Sequence, residues 1–207
     1  MLILKFAVFF LVFLANFASP AFAQTTNQPS AKQSLPKVER WEVEENLTRL
    51  SPVRFLPDHP LYFLISTKET IDYFRQKDKA QKSLFDVHLS GKKIKETYLL
   101  VQKNNLEKAT DSLKNYQRVN QRLATELTQA INSGLPAIEA AKVLSEGLER
   151  HLQIIVFLSY QSSDVRFLQE LSDSVETVKT TAKLLEKHFP GAAAKIESLT
   201  NQIQIRQ

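Results

Sequence analysis

The sequence predicts an all-α fold, an antiparallel bundle of about five long amphipathic helices with coiled-coil-like seams. Three observations lead there. From residue 60 onward apolar residues recur at steps of three and four, which puts them on one face of a helix. The segments that show this stepping are separated by links of only a few residues, the spacing that makes neighbouring helices antiparallel. The 207-residue chain holds just 4 glycines and 8 prolines, so strong breaks are few and long elements are expected.

The N-terminal segment carries a different pattern. Lys5 precedes an apolar run over residues 6–18, and Ala21-Phe22-Ala23 then supplies small residues in an A-x-A arrangement. Residues 1–23 are therefore expected to be a signal peptide cut between Ala23 and Gln24, with Ala21 and Ala23 read by the peptidase. The alternative is a retained anchor, but the run is short for a span and Asn16 interrupts it. Export implies an extracytoplasmic, secreted or periplasmic location. The chain has no cysteine, which excludes disulfides, thiol catalysis, thiolate metal sites and a lipidated cysteine. Removing Lys5 with the leader takes the net charge from +5 to +4, a mild bias toward anionic partners.

Residues 24–52 are expected to be a disordered spacer followed by a strap. Gln24 to Lys37 is rich in Thr, Gln, Ser, Asn and Pro and has little to bury. Residues 38–55 follow neither period and fit a short helix with an extended strap on the main body. Trp41, the only tryptophan, is expected there as a packed anchor.

The stretch LPDHPLYFL at 56–64 announces the first long helix, about 60–75. Proline disfavours helix at the residue before it and is tolerated at the first helical position, so Pro60 is expected to open the helix with His59 as N-cap. Its apolar residues run from Leu61 through Leu64, Ile65 and Ile71 to Phe74; Tyr62, Phe63 and Tyr73 widen the surface. It is expected to lie over the bundle, or alternatively to make a peripheral membrane contact aided by Lys68, Arg75 and Lys77.

The second helix, about 79–103, carries the stripe Leu84, Val87, Gly91, Ile94, Tyr98 and Val101, and Asn104-Asn105 ends it. The third, about 106–132, keeps a strict alternation through Ala109, Leu113, Tyr116, Asn120, Leu123, Leu127 and Ala130, with Asn120 setting register inside an apolar seam. Ser133-Gly134 stops it and Pro136 opens the fourth helix, about 136–161, with Ile138, Ala141, Leu144, Leu148, Leu152, Ile155 and Leu158 inward. Ser163 is expected to cap the fifth, about 164–188, whose stripe is Leu168, Leu171, Val175, Val178, Ala182 and Leu185. A last segment, 192–205, places Ile196, Leu199 and Ile203 on one side.

No catalytic pattern emerges. Nucleophile, phosphate-loop and dinucleotide motifs are missing. The histidines His59, His88, His151 and His188 have no i,i+4 histidine and no Glu-x-x-His partner, and each is expected to be a partly exposed bundle residue. No catalytic, cofactor-binding or metal residue is assigned, and no cofactor is expected. One charge cluster stands out. Arg75, Lys77, Lys79, Lys82, Lys92, Lys93 and Lys95 are opposed only by Asp78 and Asp86 within 75–95. It could bind anionic polymer or headgroups, or be a solvated face; weak aromatic interleaving and export argue against nucleic acid.

FLPDHPLYFL at 55–64, Glu69 and LSGKKIKET at 89–97 together resemble a bacterial family known as domain of unknown function 5667. Its members show a Leu-Pro-Asp-x-Pro-Leu-Tyr helix entry and later a Leu-Ala-Glu-Arg-Arg-Leu-x-Glu-Ala-like core. Lys93, Ile94 and Glu96 fall on the Arg, Leu and Glu of that core, whereas Ile65 stands where Lys is usual and Gly91 where Glu is usual. The likeness covers about residues 53–132, with 133–207 a further helical hairpin of the same bundle. It implies a helical secreted or membrane-anchored protein and brings no activity.

The expected function is a non-catalytic envelope interaction module that binds a protein or an anionic polymer. The alternatives are a self-associating coiled-coil protein, with the oligomeric state left open, and an extracytoplasmic sensor whose metal or ligand is held by separate helices.

Overall fold

Seven helices and no strand make up the described part of the computed structural model, which covers residues 38–188 and 190–201. They are α1 (Arg40–Thr48), α2 (Tyr62–Arg75), α3 (Lys79–Gln102), α4 (Leu106–Asn132), α5 (Ile138–Gln161), α6 (Val165–Glu186) and α7 (Ala192–Asn201). The count exceeds the expected five because two short helices, α1 and α7, flank the four long ones and α2. The leader, its cleavage residues Ala21, Ala23 and Gln24, the spacer at 24–37, and Ile203 lie outside the described residues.

The helix ends follow local chemistry. Asn104 at the end of α3 has φ 58°, and Gly134 at the end of α4 has φ 69°. Each sits in a left-handed turn that returns two N–H groups to the last helical carbonyls: Asn105 to Leu100 and Asn104 to Val101, then Leu135 to Ala130 and Gly134 to Ile131. Asp78, Asn105 and Asp164 cap the starts of α3, α4 and α6 by accepting backbone N–H bonds from Gln81, Lys108 and Phe167. Asp164 therefore takes the role expected of Ser163, since a carboxylate suits the positive helix end better. Pro136 lies two residues before α5 begins, because Ala137 occupies the N-cap position.

The four long helices α3 to α6 form a ring in which α3 packs on α4, α4 on α6, α6 on α5 and α5 on α3. Contacts between them give their directions. Asp86 bonds Arg122, and the carbonyl of Lys93, further along α3, receives the hydroxyl of Ser112, earlier in α4, so the two run antiparallel. Lys114 and Gln117 of α4 meet Glu170 and Ser174 of α6 in rising order, as Gly91 and Tyr98 of α3 meet His151 and Phe157 of α5. Each of those pairs is parallel. Two helical hairpins thus lie side by side, and the 133–137 link crosses the diagonal between them.

The sequence stripes fill the centre of this ring. Leu113, Tyr116, Leu123, Leu127, Leu152 and Ile155 are all fully buried. The seam of α4, with Asn120 inside it, is closed by helices of its own chain. Asn120 donates to the carbonyl of Tyr116 at 2.8 Å, a local bond compatible with a polar residue in an apolar seam. Ile138 departs from expectation and is exposed, since it starts α5 beyond the reach of its neighbours. Phe167, missed by the stripe of α6, is fully buried one position before Leu168.

α1 docks on α5 through buried Val43 and Leu47, and Asn46 donates to Gln153 at 2.7 Å. Trp41 points the other way. It is 63% exposed and lines a cleft of about 560 Å³ with Glu149, Arg150 and Lys195, so the packed anchor is Val43. After α1 the strap tucks Leu50 onto α3. A Cβ at Gly91 would lie 3.1 Å from Leu50 Cδ2 and 3.5 Å from His151 Nε2. Two side chains thus occupy the space that a side chain at position 91 would need.

His151 is 2% exposed, contrary to the partly exposed position expected of it. Its Nδ1 lies 3.3 Å from the Tyr116 hydroxyl, across the diagonal between α4 and α5. The gap at Gly91, with Gly147 one turn before His151, lets the ring lie flat in the core.

Two outcomes follow for stability. Gly91→Glu should destabilise the fold by at least about 2 kcal/mol in chemical unfolding, by crowding Leu50 and burying a charge. Burial, helped by Arg150, lowers the His151 pKa from the ordinary 6.5 to about 4. The stability held by the neutral ring is complete above about pH 6.5 and is lost as pH falls toward 4, where the unfolded chain binds a proton that the folded chain refuses. That loss should be on the order of 3 kcal/mol, and His151→Leu should flatten this part of the unfolding profile.

Candidate functional site

The family-marking stretch enters α2 by a route that differs from the expected one. The helix begins at Tyr62 with Leu61 as N-cap, so Pro60 is not its first residue. Two successive turns precede it, with N–H bonds from His59 to Leu56 and from Tyr62 to His59. His59 still accepts a backbone bond, Leu61 N–H to Nδ1 at 3.1 Å, while its ring stacks on Phe55 at 4.4 Å. Asp58 pairs with Lys103 at 3.2 Å and fixes the entry to the far end of α3. Asp58 and His59 are thus separate anchors.

α2 places two interleaved stripes on opposite sides. Positions 62, 66, 69 and 73 step by four, three and four and carry Tyr, Ser, Glu and Tyr. Positions 63, 67, 71 and 74 carry Phe, Thr, Ile and Phe. Tyr62, Glu69 and Tyr73 face the bundle, and Phe63, Ile71 and Phe74 face solvent. Phe63 is 60% and Phe74 72% exposed, with Leu61, Leu64 and Ile71 exposed beside them. No residue of α2 is fully buried. This reverses the expectation that the Leu61–Phe74 surface covers the bundle.

The inward stripe meets charges that α3 and α4 hold below it. Lys93 is 5% exposed. It donates to the Tyr62 hydroxyl at 2.7 Å, to Glu69 at 3.1 Å and to Glu96 at 3.2 Å. Tyr62 passes its own proton donor on to Glu96 at 2.8 Å. Lys92 bonds Glu69 and lies 3.7 Å from Glu96, so two ammonium groups meet two carboxylates. Burial opposes the charge on Lys93, but Glu96 and Glu69 outweigh it and hold the ammonium above its ordinary range. Burial raises Glu96, with Lys93 pulling the other way. Burial and the Glu96 charge also raise the Tyr62 hydroxyl.

Three turns on, Tyr73 repeats the arrangement. Its hydroxyl bonds Glu126 and is pushed up to about 12 by loss of solvent and by that carboxylate. The Arg122 guanidinium covers its ring at 4.1 Å and grips buried Asp86 with two bonds of 2.6 and 2.5 Å. Between these two attachments α2, α3 and α4 enclose a cleft of about 390 Å³, edged by Tyr62, Glu69, Tyr73, Lys93 and Arg122.

The seven cations of 75–95 do not form one exposed patch. Lys92 and Lys93 are spent on Glu69 and Glu96, and Lys95 donates to the Leu47 carbonyl at 2.8 Å. Lys79 lies 3.6 Å from Glu126 and Lys82 sits over the Tyr73 ring at 5.0 Å. Arg75 and Lys77 alone remain exposed. The reason is long-range. Glu69 lies 23 and 24 residues before Lys92 and Lys93, so a local charge count leaves it out. The signal that could have revealed this is the polar 62/66/69/73 stripe itself, matched in period to an apolar stripe on the other side. Among the described residues no group of three His, Cys, Asp or Glu converges for a metal, and no helix is long and apolar enough to cross a membrane.

The fold and this site define an all-helical bundle that clasps its family-marking helix through buried charge pairs and presents that helix's apolar side outward. The family described as domain of unknown function (DUF5667) matches residues 54–176, more than half of the chain, and the chain belongs to it. The match runs beyond residue 132, through α5 and into the first half of α6, and so reaches all four helices of the ring. No curated protein and no solved structure matches the chain.

Removing one partner of a buried pair strands the other. Lys93→Ala should therefore cost about 3–5 kcal/mol in chemical unfolding, because Glu96 stays buried without its cation. Replacing both, as Lys93→Met with Glu96→Leu, should cost far less, and comparison of the three midpoints checks this.

Proposed function

We propose that the chain is a non-catalytic interaction module of the cell envelope, acting outside the cytoplasm through the outward face of α2. One observation carries this reading: α2 spends its polar side on the bundle and leaves a ridge of large apolar side chains in solvent. Isolated exposed apolar residues are ordinary, but five large ones on one helix and its entry, Leu61, Phe63, Leu64, Ile71 and Phe74, mark a binding surface. The leader pattern at residues 1–23 supports the location. Self-association through the α4 seam is not favoured, since that seam is filled by the chain's own α3, α5 and α6. An anionic polymer is a weaker fit, because five of the seven cations have partners within the chain.

Phe63 and Phe74 are mostly exposed, and Phe74 meets only the Tyr73 ring edge-on at 5.4 Å, so Phe63→Ser with Phe74→Ser should lower the unfolding midpoint only slightly. In-cell cross-linking of that variant should lose about nine-tenths of the envelope adducts formed by the parent chain, the loss that one buried aromatic anchor confers. An unchanged adduct pattern would sink the assignment of the surface to α2.

A further inference from the structure

We infer that the outward face of α2 docks on an anionic lipid bilayer. The inference rests on the reading above, that α2 is the working surface, and names its partner. The outward apolar residues from Phe63 to Phe74, interrupted by Thr67, span three helical turns, roughly 16 Å, and no described element covers them. The large side chains, Phe63 and Phe74 above all, stand out into solvent, which suits a fluid surface that can close around them.

The exposed charges alongside are mostly cationic: Lys68, Arg75 and Lys77, against Asp72, which pairs with Lys68. Lys68 and Arg75 each follow an outward apolar residue, Leu64 and Ile71, by four positions and so lie on the same flank. Lys77 continues that edge just beyond the helix. Both carboxylates of α2 are turned away or taken: Glu69 is bound to Lys92 and Lys93, and Asp72 to Lys68. Among the described residues Arg75 and Lys77 make no ion pair. A helix lying in a bilayer interface has this build, with apolar side chains down and cations level with the headgroups. Their long stems let Lys and Arg reach the headgroups while the rings sink.

A second copy of the chain is a poorer occupant. Docked ridge to ridge, it would set Arg75 and Lys77 of one copy beside those of the other. The attachment of α2 also fits. Tyr62, Glu69 and Tyr73 bind through hydroxyl and carboxylate contacts on the protein side, so immersing the other side removes none of them from their partners.

The test uses the full chain with Trp41→Phe and Phe74→Trp, which places the only indole on the ridge and makes the readout local. Vesicles of phosphatidylcholine with phosphatidylglycerol are compared with phosphatidylcholine alone. The expected result is a shift of emission to shorter wavelength and quenching by brominated acyl chains, both stronger on the anionic vesicles. Phe63→Ser should weaken vesicle binding by about tenfold, and Arg75→Ser and Lys77→Ser by about fivefold each.

An indole that stays in water on both vesicle types overturns the proposal, as does binding that none of these changes weakens. Light scattering that shows a dimer dissolved by Phe63→Ser would assign the ridge to a second copy and overturn it too. If vesicles ignore the substitutions while cross-linked protein adducts are lost, the lipid partner falls and the interaction-module reading stands. If neither responds, both fall.

Discussion

Lys93 and Glu96 are buried together on α3, and the rest of the site follows from the need to keep them paired. A charge withdrawn from water has to find partners with good geometry, or it costs several kcal/mol. Within the ring of four helices only Lys92 of α3 approaches this pair, 3.7 Å from Glu96. The other partners come from outside it, as Glu69 and the Tyr62 hydroxyl of α2, with Lys92 completing two cations against two carboxylates. α2 must therefore turn its polar stripe inward. A helix has only two sides to offer, so its apolar stripe is left outward.

The same logic is repeated at the other end of α2. Tyr73 reaches Glu126 and lies under Arg122, which is itself committed to Asp86. Two clasps about three turns apart hold the helix against both α3 and α4. Such pairs add little net stability compared with apolar packing, and their value lies in fixing one orientation. An apolar underside could slide or roll on the bundle; a hydroxyl that accepts from Lys93 and donates to Glu96 cannot.

The ring beneath is more tolerant in kind but exact in space at one place. Leu50 of the strap and His151 of α5 both press on Gly91, so the strap, α3 and α5 share a single gap. This joins the packing of α1 and the strap to the interior histidine, and it explains why a helix-weakening residue sits in the middle of α3.

Much of the fold was legible in the residue order. The stripes of α3 and α4, the left-handed stop at Asn104 and the glycine at 134 are local consequences of period and backbone sterics, and they appear where expected. The family likeness, resting on the 55–64 entry and on Lys93, Ile94 and Glu96, was equally legible. Less was legible of the site. Trp41 was expected as a packed anchor and is exposed beside a cleft, His151 was expected to be partly exposed and is buried, and Lys92, Lys93 and Lys95 were counted with a surface patch to which they do not belong. Each of these depends on which way a helix is rotated, and a stripe does not say which neighbour it will meet.

The sequence by itself determined the helical class, the lengths of the long helices and the apolar seam of α4, because hydrogen bonding and side-chain period act within a few residues. Only the tertiary structure decided that α2 is turned polar side in. That choice depends on Glu69 meeting cations more than twenty residues away, and on the cost of leaving Lys93 and Glu96 uncovered, neither of which a local pattern contains.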